Sequence, residues 1–206
     1  EGGYIRSGIA YKIPDNVNTM RFFVYWNHGS RTDIDLHAYG TSSNGEVTSI
    51  GWDSDFNNNG IVFSGDITHS DAAEYIDVDL SKTDTTAVSF NIGVYNGPVF
   101  KDFKECFVGC MVVSNLNENV KLYNPKNCFF THRLTSNSKS MHYGFLNVKD
   151  RNIIFDGKTN TNNNYYSDMG RVRTKFTLEK YLNDLYSCQN INIVNNPDCA
   201  DYTLVM

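Results

Sequence analysis

The chain has 206 residues, is 40% hydrophobic and 14% aromatic, and carries 23 acidic against 18 basic side chains, a formal charge of −5. That apolar content excludes a disordered chain, and 15 glycines with 4 prolines exclude a fibrous repeat. The acidic surplus and the lack of any run near the roughly 20 apolar residues of a membrane helix argue against nucleic acid and membrane as partners.

Residues 20–26 are apolar nearly throughout, Arg21 excepted, and read as a central strand covered on both faces. Next, Ile34, Leu36 and Ala38 alternate with Asp33, Asp35, His37 and Tyr39, the period-two pattern of a half-buried strand. Shorter strands are expected over 46–50 and 61–64. Alternation returns with Ile76, Val78 and Leu80 against Tyr75, Asp77 and Asp79. It recurs with Val88, Phe90, Ile92 and Val94 against Ser89, Asn91 and Gly93. Residues 88–94 and the apolar run 107–113 are expected to be central strands, followed by strands over 129–134, 143–148 and 152–155. Turn residues stand between them: Ser43-Asn44-Gly45, Asn57-Asn58-Asn59-Gly60, Asn96-Gly97-Pro98 and Asp156-Gly157. This order predicts an all-β fold, a two-sheet antiparallel β-sandwich over residues 1–157.

Residues 158–206 are expected to pack on the sandwich as a polar linker, a strand, a short C-terminal helix and an irregular tail. Residues 159–164 are the linker. Arg171, Arg173 and Lys175 lie on a period-two strand as an edge guard. Leu178, Tyr181, Leu182 and Leu185 recur at helical spacing, with Thr177 as N-cap.

Five cysteines leave at least one thiol free, which fits a reducing, cytoplasmic setting; Cys188 and Cys199 are the pair that export would oxidise. No signal peptide is read, and Glu1 in place of methionine suggests a domain of a longer or processed chain. Zinc is disfavoured: Cys106 with Cys110, and Cys128 with His132, lie about 13 Å apart on a strand and cannot share an ion. Asp55 to Asp66 imitates an EF-hand loop, but 61–64 reads as strand and the stretch as an Asn-Gly hairpin. No GxSxG, HExxH, Walker loop or GxGxxG is present, so no enzyme is expected; His37 beside the acidic pair is the first base to test.

Asp33 and Asp35 share one face of their strand, roughly 6–7 Å apart, and repel unless a cation sits between them. Asp66 ends a nearby strand, and Asp71 and Glu74 open the next, across a connection rich in Thr68, His69 and Ser70. An oxygen cluster without cysteine favours Ca²⁺.

The run Arg21-Phe-Phe-Val-Tyr-Trp-Asn27, then Thr32-Asp-Ile-Asp-Leu36, Ser64-Gly-Asp-Ile67 and Ala73-Glu-Tyr-Ile-Asp77 resembles the TerD family of calcium-binding β-sandwiches, linked to tellurite resistance and bacterial stress response. The likeness covers roughly residues 4–115, with weaker support from 128–155. It implies calcium ligands at Asp33, Asp35, Asp66 and Glu74, with Asn27 and Asp71 as lesser candidates, and a protein partner met by calcium-ordered loops. Three departures reduce the implied ligand count to one good site. Asn27 follows the tryptophan where the family has aspartate, Ile67 replaces an amide residue, and the acidic turn is shortened to residues 68–73. The competing expectation is a carbohydrate- or protein-recognition sandwich, with Trp52, Tyr165 and Tyr166 as an exposed aromatic row.

Overall fold

The computed structural model describes residues 7–54, 57–119 and 128–159. Their strands are β1 (Ala10–Lys12), β2 (Thr19–Asn27), β3 (Asp33–Ser42), β4 (Val47–Ile50), β5 (Asn57–Asn58), β6 (Ile61–Phe63), β7 (Asp71–Asp79), β8 (Thr85–Asn96), β9 (Glu105–Val113), β10 (Cys128–Arg133), β11 (Ser140–Asn147) and β12 (Asn152–Thr159). Among the described residues the helical structure is a single 3-10 turn, Phe100–Asp102. One sheet runs β1-β12-β11-β8-β3-β4 and the other β10-β9-β2-β7-β6-β5. Their pairings are antiparallel. The chain is an all-β sandwich, and the three strands expected to be central, β2, β8 and β9, are interior to their sheets.

Period two decides which side chains meet between the sheets. Phe22, Val24 and Trp26 of β2 face Ile34, Leu36 and Ala38 of β3 and Phe90, Ile92 and Val94 of β8 in one core. Phe22 stacks on Phe90 with ring centroids 4.1 Å apart. Burying side chains of this size contributes about 1.5–3 kcal/mol each. The opposite phase of β2 carries Phe23 and Tyr25, which join Tyr75, Met111 and Val113 on the outer side. Cys106 and Cys110 lie in the inter-sheet core, and burial pushes the Cys106 thiol up to about 12.

Two strands escape the sequence reading. β1 and β5 have three and two residues, too few to show a period, and exist because β12 and β6 offer them an edge. Asn58 pairs with Ile61 around Asn59 (φ 42°) and Gly60 (φ 80°), both left-handed as a type I′ hairpin turn demands. The EF-hand likeness is thereby replaced by a hairpin. β12 continues to Thr159, which pairs with Met141, so the sandwich extends two residues past its expected end at 157. The helix around Leu182, the Arg171–Arg173–Lys175 stripe, Tyr165, Tyr166, Cys188 and Cys199 lie outside the described residues. No helix among the described residues is long and apolar enough to cross a membrane.

Candidate metal centre

β4 pairs with β3 only from Ala38 to Thr41, so the first half of β3 has an edge without a strand partner from β4. Glu74 fills part of that edge. It is in phase with Ile76 and Val78, points between the sheets and is fully buried. Its Oε2 accepts the backbone N–H of Leu36 at 2.8 Å and its Oε1 that of Ile67 at 3.0 Å. One carboxylate thus ties β3 to the turn after β6. Gly65, at φ 97°, makes that turn and delivers Asp66 beside the strand.

Asp33, Asp35 and Asp66 converge: one carboxylate oxygen from each lies within 4.8 Å of the others, a group that could hold a metal ion. Asp35 is 5% exposed, Asp33 is half-buried and Asp66 exposed, so the group grades from the protein into solvent. An ion with 2.3–2.6 Å bonds accepts oxygens up to about 5 Å apart, so one Ca²⁺ can reach all three. Without a cation, two unit charges at such a separation repel by roughly 3–4 kcal/mol at an effective dielectric of 20.

The electrostatics carry that strain. Burial and the charge of Asp66 raise the Asp33 carboxyl above its ordinary 3.8, with Arg31 opposing. Burial raises Glu74 well above 4.5; its two backbone hydrogen bonds pull the other way, and Asp35 and Asp66 add to the rise. Oδ1 of Asp33 is buried and makes no hydrogen bond among the described residues.

The other expected ligands fall elsewhere. Asp71 accepts a hydrogen bond from the Tyr25 hydroxyl at 2.9 Å on the outer side of β7, and burial together with that bond lifts the Tyr25 phenol to about 12. Asn27 is in phase with Tyr25 and paired in register with Asp71, so both sit on the face opposite Glu74. Glu74 stands behind the three aspartates, and each of its oxygens accepts one backbone amide. The resemblance implied it as a ligand; its two amide donors come from segments 38 and 7 residues away and leave no local signal in the sequence.

Beside the cluster is an open groove lined by Arg31, Thr68, His69 and Ser70. Its floor is fixed by Trp26, whose indole N–H donates to the His69 carbonyl at 2.8 Å, and by the His28 N–H to the Ser70 carbonyl at 3.0 Å. His37 is turned to the loop after β4, with Nε2 2.8 Å from Asp53 Oδ1. Trp52 is exposed on that loop, while the two tyrosines expected to accompany it fall outside the described residues.

No family model matches the chain, and neither a curated protein nor a solved structure matches it.

Proposed function

We propose that this sandwich is a calcium-binding module of the kind its sequence resembles in the TerD family, serving a bacterial stress or tellurite-resistance type response through a protein partner. The observation that carries the reading is the convergence of Asp33, Asp35 and Asp66 oxygens within 4.8 Å, where β3 and the β6–β7 turn meet. Three carboxylates supply three of the 6–8 oxygens that Ca²⁺ takes, and backbone carbonyls or water complete the shell. The ion would cancel the repulsion among the aspartates and relieve Glu74 behind them. Residues 65–70 would be ordered with it, so the loop surface presented to a partner depends on calcium. The resemblance supplies the stress role, and the odd number of cysteines supports a reducing, cytoplasmic setting.

Thermal unfolding of metal-stripped protein, with and without millimolar Ca²⁺, tests the reading. A midpoint rise that is lost when Asp33→Asn and Asp35→Asn are combined supports it. An unchanged midpoint in the native sequence defeats it.

A further inference from the structure

A second group of chemistry-bearing side chains lies on the outer face of the sheet that holds β3. Ser89 on β8 and His142 on β11 approach with Oγ and Nε2 3.1 Å apart. The other ring nitrogen of His142, Nδ1, lies 2.8 Å from Asp156 Oδ2 on β12. An ionised aspartate can only accept, so in the neutral imidazole Nδ1 carries the proton. Nε2 is then the acceptor and the Ser89 hydroxyl donates to it. Nucleophile, base and base-orienting carboxylate thus stand in the order that serine acyl transfer requires.

The alignment depends on an irregularity in the sheet. Between the pairs His142 with Lys158 and Gly144 with Phe155, β11 has one residue, Tyr143, and β12 has two, Asp156 and Gly157. A bulge of this kind re-aims a side chain, and here Asp156 comes onto the histidine. Gly144 is obligatory, because a Cβ there would meet the Ile154 carbonyl oxygen at 2.2 Å. Phe145, with its ring centroid 4.4 Å from that of His142, holds the imidazole from the next position on the same face.

Asn91 supplies an independent observation. It is two residues from Ser89 on β8, hence on the same face, and its register partner on β11 is His142. Asn91 is 4% exposed, and its Nδ2 has no hydrogen-bond partner among the described residues. A buried, unpartnered amide donor on the face that carries the serine hydroxyl fits an acceptor that forms during a reaction, as an oxyanion does.

We propose that Ser89, His142 and Asp156, with Asn91 as oxyanion donor, form a serine esterase site for small carboxylic esters. The Ser89 oxygen bonds to the acyl carbon while its proton passes to His142 Nε2, and Asn91 donates to the carbonyl oxygen as it becomes negative. Collapse breaks the ester C–O bond, and the alcohol leaves with the proton from His142. Water then gives a proton to the same nitrogen and attacks the acyl-serine. Its collapse releases the carboxylic acid, and the proton returns to Ser89. Ser89 is 6% exposed and is paired in register with Tyr39 on β3 and Phe145 on β11. This inference does not rest on the calcium reading, since none of its residues belongs to the aspartate cluster.

The test uses the full chain, a fluorophosphonate probe with peptide mapping, and hydrolysis of p-nitrophenyl butyrate. An adduct on Ser89 is expected, absent in Ser89→Ala. His142→Ala should slow labelling by about 100-fold or more. Asn91→Ala should lower kcat by about 100-fold with KM unchanged, a split that a structural role does not produce. Asp156→Asn, nearly isosteric, should lower kcat at an unchanged melting midpoint. Absence of a Ser89 adduct on folded protein overturns the proposal, and so does equal labelling of the native chain and His142→Ala.

Discussion

Oε2 of Glu74 accepts the Leu36 N–H across 2.8 Å, joining the inner face of one sheet to the edge of the other. Its second oxygen does the same for Ile67, so a single side chain sets the spacing between Asp35 and Asp66, each one residue from an amide it holds. The cluster's geometry is therefore built into the core.

Glu74→Gln tests that role. The amide keeps the shape but offers one accepting oxygen, so its NH₂ faces a buried N–H. Leaving that donor unpaired costs about 1–3 kcal/mol. Losing the charge also relieves repulsion from Asp35 and Asp66, which offsets part of the loss when no cation is present. Urea unfolding should show destabilisation in both chelator and calcium, and the larger loss in calcium. A variant more stable than the native chain in calcium rejects the role.

Most of the framework could be read from period two, because alternation such as Val88-Ser89-Phe90-Asn91-Ile92 fixes both strand and face. The Asp33–Asp35 pair was legible for the same reason, and Asp66 was read as the end of a nearby strand. Glu74's two amide bonds were not, nor was the Ser89–His142–Asp156 chain, whose members lie 53 and 14 residues apart. Those contacts depend on register and on a bulge, and register depends on pairing across the whole sheet. Asn27 and Asp71, which the resemblance implied as lesser ligands, pair with each other on the face opposite Glu74, and a likeness in sequence does not show which face a strand residue takes.

Asp66→Asn should weaken calcium binding without disturbing the fold. The residue is exposed, so its side chain contributes little packing. A ligand present at 100 times its Kd stabilises by about 2.7 kcal/mol. For a chain of this size that is a rise of about 5–10 °C in midpoint. The native protein should show such a rise in saturating calcium, and Asp66→Asn should need at least tenfold more calcium to reach half of it. An unaltered calcium titration in the variant would exclude Asp66 from the site.

Acid should erase one local contribution at the end of β7. Burial raises the Asp79 carboxyl, but the Ser81 hydroxyl at 2.6 Å, the Lys82 ammonium and the Ser81 N–H at 3.0 Å outweigh it and hold the group below 3.8. A depressed folded value means stability that is complete above the unfolded value and lost as pH falls through the folded one. Ser81→Ala should therefore cost about 1–2 kcal/mol near neutrality. The urea curves of variant and native protein should converge below pH 3. A gap that stays constant into acid would show that the hydroxyl does not act through the charge.

Arg21 and Asp77 form the deepest ion pair described, both side chains 0% exposed, with Nε to Oδ1 at 2.7 Å and Nη2 to Oδ2 at 2.8 Å. Arg21 interrupts the apolar run of β2 without entering the core, because it is in phase with Phe23 and Tyr25. Tyr75 lies under the guanidinium at 3.7 Å, and the carbonyl of Glu118 accepts a further bond from it. Asp77 also accepts the Asn117 N–H, so the pair anchors the loop after β9 to the outer face. Removing one partner strands a charge without water or counter-ion, so Arg21→Met and Asp77→Leu should each cost about 3–5 kcal/mol. The double replacement should recover most of that loss, since two apolar side chains fill the site without a desolvation penalty. A double-mutant cycle from urea unfolding reads the difference. Simple additivity of the two losses would mean that the cost comes from packing and loop anchoring, not from the unpaired charge.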